Sequence, residues 1–190
     1  MIYVTLHYQD SDPIILGSGE LFLGKVDNVE EATETEIEAA LKNIGAIESG
    51  ATLQYSNSIQ EVKSGNRGTI MRFVTEESVT FNCGVMTWVL DNLALLAPAT
   101  VETDAETGTK KIQIGGKGML PVNYLRFVHK KKDGSGELIV NIYKAQATNG
   151  FQFTFGEDPL VVNYEFTALA DKDGNLVEII ETFTEEEPIE

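Results

Sequence analysis

Apolar and polar residues alternate along most of this chain, a period of two that sends successive side chains to opposite faces of a strand. The densest stretch lies within residues 138–180. There Phe151, Phe153 and Phe155 alternate with Gln152 and Thr154, and Leu160, Val162, Tyr164, Phe166 and Ala168 share one face. That row is expected to pack a core or a helix, with Asn163, Glu165 and Thr167 on the opposite face. Ile2, Val4, Leu6 and Tyr8 mark a first strand, and Gly17-Ser18-Gly19 leads into a second at 20–23. Further strands are predicted at 51–55, 69–74, 79–83, 111–114, 124–129, 138–143 and 176–180. Ser64-Gly65-Asn66-Arg67-Gly68 reads as a loop, and Asp133-Gly134 and Asp173-Gly174 read as hairpin turns.

The period changes to about 3.6 in two places. Thr33 and Glu36 have the spacing of a capping box, followed by Ile37, Leu41 and Ile44 at helical intervals, with Gly45 placed to stop the helix. Met86, Val89, Leu90, Leu93 and Leu96 make a second apolar stripe that Pro98 ends, which puts Trp88 on a core helix. Nine or ten strands with two short helices predict a mainly β protein, a β-sandwich or partly closed barrel flanked by an α-helix. The chain reads as a single domain over 1–182 followed by an acidic tail at 183–190.

Composition narrows the partners. The 30 acidic and 14 basic residues give a net charge of −16, which disfavours a nucleic-acid or anionic-membrane grip. The charge is uneven. Basic residues gather between 110 and 144, including Lys130-Lys131-Lys132, while acids crowd 27–38 and the end of the chain. Such clusters are solvated faces or complementary surfaces on repeating copies of one subunit. The lone Cys83 cannot close an internal disulfide, which fits assembly in a reducing compartment. No apolar run approaches the roughly 18 residues of a membrane span, and Met1-Ile2-Tyr3-Val4 lacks the basic region of an export signal.

Candidate chemistry is sparse. His7 and His129 lie on separate strands without neighbouring ligand types, so no metal site is expected. Asp171-Lys172-Asp173-Gly174-Asn175 starts like a calcium loop but lacks the later glycine and glutamate, and reads as a tight turn. Gly115-Gly116-Lys117-Gly118 lacks the spacing and hydroxyl of a phosphate loop. Cys83 falls on an apolar strand face ahead of the second helix and reads as core. No enzyme and no cofactor are expected.

Three stretches carry a resemblance. They are Ile44-Gly45-Ala46-Ile47-Glu48-Ser49-Gly50-Ala51-Thr52-Leu53-Gln54-Tyr55, then Val79-Thr80-Phe81 with Cys83-Gly84-Val85-Met86-Thr87-Trp88, and Phe166-Thr167-Ala168-Leu169-Ala170-Asp171-Lys172-Asp173-Gly174. With the opening Gly17-Ser18-Gly19-Glu20-Leu21-Phe22-Leu23-Gly24, the chain resembles the major tail tube proteins of tailed phages and prophages of Gram-positive bacteria. The acidic first-helix region and the Glu-rich end after Thr182 depart from that pattern.

The resemblance implies a two-sheet β fold shared with the type VI secretion tube. It implies a homo-hexamer whose rings stack into a hollow tube around a tape-measure protein, with DNA passing through during ejection. The expected location is the virion tail, assembled in the host cytoplasm. On this reading part of the acid excess faces the lumen, where Asn163, Glu165 and Thr167 are candidates. The segments 61–68 and 103–118 are expected to join rings through Ser64, Asn66, Arg67, Lys110, Lys111 and Lys117. The alternatives are a tail-terminator or baseplate ring of related fold, or a β-sandwich binding module that presents loops to a glycan or receptor.

Overall fold

The computed structural model describes residues 19–182 other than 117, 132, 133, 135 and 158. The expected first strand at 2–8, Lys117 and the acidic tail at 183–190 lie outside them. The described chain is mainly β with two short helices, as the alternation predicts. Its elements in order are β1 (Glu20–Gly24), α1 (Glu34–Ala40), β2 (Lys42–Asn43), β3 (Ile47–Ser64), β4 (Gly68–Val85) and α2 (Leu90–Leu96). They continue with β5 (Ala99–Asp104), β6 (Thr109–Ile114), β7 (Asn123–Lys130), β8 (Glu137–Ala147), β9 (Val162–Ala168) and β10 (Glu178–Glu181).

The main sheet is antiparallel and open, in the order β2-β1-β7-β8-β9-β4-β3, with β10 also paired to β8. It does not close into a barrel. It curls strongly instead. Phe81 on β4 and Phe127 on β7 bring their ring centroids within 5.4 Å, although β9 and β8 lie between those strands. In a flat sheet three strand spacings would separate them by about 14 Å. The inward face so formed buries Leu21, Leu23, Val79, Leu125, Ile142 and Phe166, and α2 adds Leu93 and Leu96. β5 and β6 form a separate two-stranded hairpin beside α2.

The outcome departs from the sequence pattern where tertiary pairing competes with local periodicity. The Thr33–Glu36 capping box forms, but α1 ends at Ala40 because Asn43 and Lys42 pair with Phe22 and Leu23 of β1. Ile44 is therefore a buried residue past the helix, its N–H donating to the Leu21 carbonyl at 2.9 Å. Gly45 does not stop a helix; it lies against Thr87 at a φ of +116°.

α2 begins at Leu90, not Met86. The Met86 N–H donates to the Ala46 carbonyl and the Ala46 N–H donates to Thr87 Oγ1, which holds 86 and 87 beside the 44–46 segment. Met86, Trp88 and Val89 consequently lie outside the helix and are exposed, so Trp88 is not a core-helix residue.

Residues 151–155 have the alternation of a strand but make no ladder. β9 already occupies the position between β8 and β4, leaving the segment no partner. β9 starts at Val162 and buries Val162, Tyr164, Phe166 and Ala168, as the row predicts. The Asp171 turn forms, with Asp171 Oδ1 accepting from the Asp173 and Asn175 N–H groups. It does not fold β10 back on β9, whose edges are both taken; β10 pairs with residues 138–141 of β8.

Candidate functional site: a polar sheet face and an apolar arm

β9, β4 and β3 lie side by side, and alternation divides them into two unlike faces. Val162, Tyr164 and Phe166 face the core with Val85, Cys83 and Phe81, their register partners. The opposite face carries Asn163 beside Gly84, Glu165 beside Asn82, and Thr167 beside Thr80. One strand further, Thr52 pairs with Asn82 and Gln54 with Thr80. Thr148 and Thr167 share a hydroxyl hydrogen bond of 3.0 Å at the other margin.

This face is a run of short hydroxyls and amides with two carboxylates, Glu165 on the paired rows and Glu48 beside Gly84. No lysine or arginine stands on those rows. A trough of about 620 Å³ follows it, lined by Thr52, Asn82, Asn163 and Glu165 together with Asn149 and Gln152. The structure thus brings the three predicted polar residues of β9 together on one surface. Gly84 belongs to that surface for a steric reason: a Cβ there would sit 2.9 Å from Val161 Cγ1.

The core beneath holds its thiol and its phenol in their neutral forms. Burial pushes the Cys83 thiol up to about 12, and Cys83 sits within a strand rather than at a helix end. Burial likewise raises the Tyr164 hydroxyl. Among the described residues no group of three His, Cys, Asp or Glu side chains could hold a metal ion, and no helix is long and apolar enough to cross a membrane.

The second feature is the hairpin of β3 and β4. Each strand runs for 18 residues, and Ser64 to Gly68 close its tip, so the predicted loop and the strands around it form one arm. Ser64 Oγ donates to Asn66 Oδ1 at 2.7 Å, which braces the tip and leaves Arg67 exposed beside it. Only the base of the arm is covered by the body. The register skips Thr75 between Ser58–Glu76 and Ile59–Val74, a bulge that exchanges the faces of β4. Past it, Ile59 and Val74 pair on one face beside Glu61 and Arg72, while Val62, Met71 and Phe73 take the other. Arg72 Nε donates to Glu61 at 2.9 Å, and this bond with those of Lys63 and Thr69 holds the Glu61 carboxyl below the usual range.

Lys110 and Lys111, the other predicted contact residues, stand on β6 rather than in a loop. Lys110 is engaged within the chain by Asp91 of α2 at 2.6 Å, and Lys111 lies 4.0 Å from Glu102. They belong to a different hairpin from Ser64, Asn66 and Arg67.

A third feature had no sequence signal. Under α1, the outer face of β7, β8 and β10 forms a cavity of about 720 Å³. Arg126 crosses it, donating to Glu34 at 2.5 Å, Asn141 at 2.9 Å and the Tyr124 hydroxyl at 3.2 Å. Tyr143 donates to Glu178 at 2.8 Å, and its hydroxyl is raised by burial and by that carboxylate. The polar groups of this network satisfy one another, and it ties α1 and β10 to the sheet.

The apolar arm was also hidden in the sequence, because alternation predicts faces and not exposure. The legible sign was a strand pattern on both sides of Ser64-Gly65-Asn66-Arg67-Gly68. No known protein family matches the chain, and no curated protein matches it.

Proposed function

We propose that this chain is a structural virion protein, the major tail tube subunit of a tailed phage or prophage, forming stacked hexameric rings around a channel for the tape-measure protein and the genome. The observation that carries the reading is the polar face of β9, β4 and β3. It backs directly on the hydrophobic core, and its paired rows hold hydroxyls, amides and Glu165 without a base. DNA binds proteins chiefly through phosphates neutralised by Lys and Arg. A channel wall of this composition gives phosphates no cation to hold, so DNA slides past it.

The open sheet supports the same reading. β3 is an 18-residue edge strand, far longer than the short edges that soluble monomers keep. Pairing of that edge between copies closes a ring, and the arm tip with Ser64, Asn66 and Arg67 reaches the next one. Electron microscopy of the purified protein tests the reading. Hollow tubes of stacked rings are expected; isolated rings in their place indicate a terminator or baseplate ring and overturn the tube.

One observation favours a second reading. Trp88 and Phe155 are exposed in irregular segments, the kind of aromatic display a glycan-binding module uses. A monomer that binds a glycan array through Trp88 would replace the tube reading.

A further inference from the structure

The connector that leaves β8 carries a reactive step. β8 ends at Ala147, and Thr148, Asn149 and Gly150 lead out of the sheet to Phe151, which packs against the core. Asn149-Gly150 is the one Asn-Gly step in the sequence. The amide carbon of an asparagine and the main-chain nitrogen of the next residue can close a five-membered ring. Glycine leaves that closure unhindered, because it has no side chain and a permissive backbone.

A fold protects such a step by holding the following N–H in a hydrogen bond or by engaging the asparagine amide. Neither protection operates at Asn149. Among the described residues, the Asn149 side chain and the Gly150 N–H have no hydrogen-bond partner. Thr148 and Asn149 are exposed, and a side chain added at Gly150 would meet nothing within 4 Å, so water and hydroxide reach the step.

Other candidates are held. Asn66 at the arm tip is followed by Arg67, whose N–H donates to the Ser64 carbonyl at 3.4 Å. Asn175 donates its amide to Asp171 at 3.1 Å. Asn82 and Asn141 stand inside strands that are paired on both sides. The Asp173-Gly174 step could close the same ring, but the Gly174 N–H donates to the Asp171 carbonyl at 3.3 Å.

We infer that Asn149-Gly150 is a self-modifying site, at which the folded protein converts Asn149 into aspartate and isoaspartate. The Gly150 nitrogen, having lost its proton to hydroxide, bonds to Asn149 Cγ. The amide nitrogen leaves as ammonia, and a succinimide remains. Water then opens the ring. Opening at Cγ gives aspartate, and opening at the main-chain carbonyl gives isoaspartate, whose backbone runs through Cγ and is one carbon longer. The exchange of ammonia for water needs no oxidant and no cofactor.

Either product adds a negative charge. Asn149 lines the trough of the polar face with Asn82, Asn163 and Glu165, so the new carboxylate makes that face more acidic as the protein ages. Isoaspartate also lengthens the short connector between β8 and Phe151. The inference stands on this connector and not on the tube reading.

The test ages the purified folded protein in mildly alkaline buffer and maps asparagine conversion by peptide mass spectrometry, with isoaspartyl methyltransferase labelling to mark isoaspartate. The expected result is the mass gain of an amide turned acid, confined to the peptide that carries position 149. Isoaspartate should be the larger product, and a matching acidic band should grow in isoelectric focusing. Asn149→Gln should remove the gain, the label and the band, because glutamine must close a six-membered ring, which is slower. The same protein unfolded in guanidinium gives the rate of the unprotected step. A folded rate within a few-fold of that rate supports the site. A folded rate more than an order of magnitude slower overturns it, as does conversion led by another asparagine. These readouts need no assembly, so failure of the tube reading leaves them unchanged.

Discussion

Phe81 on β4 and Phe127 on β7 meet at 5.4 Å between ring centroids, although two strands lie between them in the sheet. This pair joins the two halves of the curled sheet across the core. Phe81→Ala is expected to destabilise the fold by about 3–5 kcal/mol, the usual cost of emptying a buried phenylalanine site. Urea unfolding followed by tryptophan fluorescence measures it. A loss below about 1 kcal/mol would mean that the halves are held together elsewhere.

Gly45 is the tightest point between the 44–46 segment and the 86–87 segment. Its φ is +116°, and a Cβ there would stand 2.4 Å from the Thr87 side chain. Gly45→Ala is expected to cost roughly 2 kcal/mol or more through backbone strain and displacement of Thr87. The Thr87 Cβ itself stands 2.4 Å from the added atom and its hydroxyl accepts from the Ala46 N–H, so Thr87→Ala should leave the clash in place and lose a hydrogen bond, and the double variant should be no more stable than Gly45→Ala alone. Thermal melts of the two single variants and the double variant separate the terms.

Cys83 gives a pH prediction. Its thiol is raised to about 12 by burial, above the roughly 8.5 of an unfolded cysteine. The unfolded state therefore loses its proton first, so this stabilisation is complete below about pH 8.5 and is lost as pH rises toward 12. The folded protein should resist thiol labelling at pH 8 and react fully in denaturant. Rapid labelling without denaturant would show that the β4–β9 core opens readily.

The polar face can be converted. Thr80→Lys, Asn82→Lys and Glu165→Lys place three bases on adjacent register positions. Assembled variant protein is expected to retain DNA with a steep salt dependence, each added phosphate contact increasing the slope, while the parent retains none. In an infectious particle the same changes should slow genome ejection. Unchanged DNA retention and ejection would remove this face from the channel.

The arm can be shortened without touching the core. Deleting residues 59–74 and joining the strands by an Asn-Gly turn removes exposed positions whose pairing is confined to the arm. Stability should change by no more than about 1 kcal/mol, whereas assembly by electron microscopy and sedimentation should be lost. Tubes that still form would assign stacking to another surface.

The alternation of Val162, Tyr164 and Phe166 with Asn163, Glu165 and Thr167 settled by itself that β9 has one buried and one polar face, since side-chain direction in a strand follows from the backbone alone. The Thr33–Glu36 capping box was equally local, and it formed as its spacing predicts. Strand partners were decided elsewhere. Residues 151–155 alternate as well as β9 does, yet β9 occupies the one position between β8 and β4 and leaves them unpaired. The helical stripe at 86–96 lost its first turn to hydrogen bonds with Ala46, a residue 40 positions away from Met86. That loss exposed Trp88. Nor could alternation reveal that the outer half of β3 and β4 has nothing beneath it, because a period of two specifies which side chains share a face and not what covers that face.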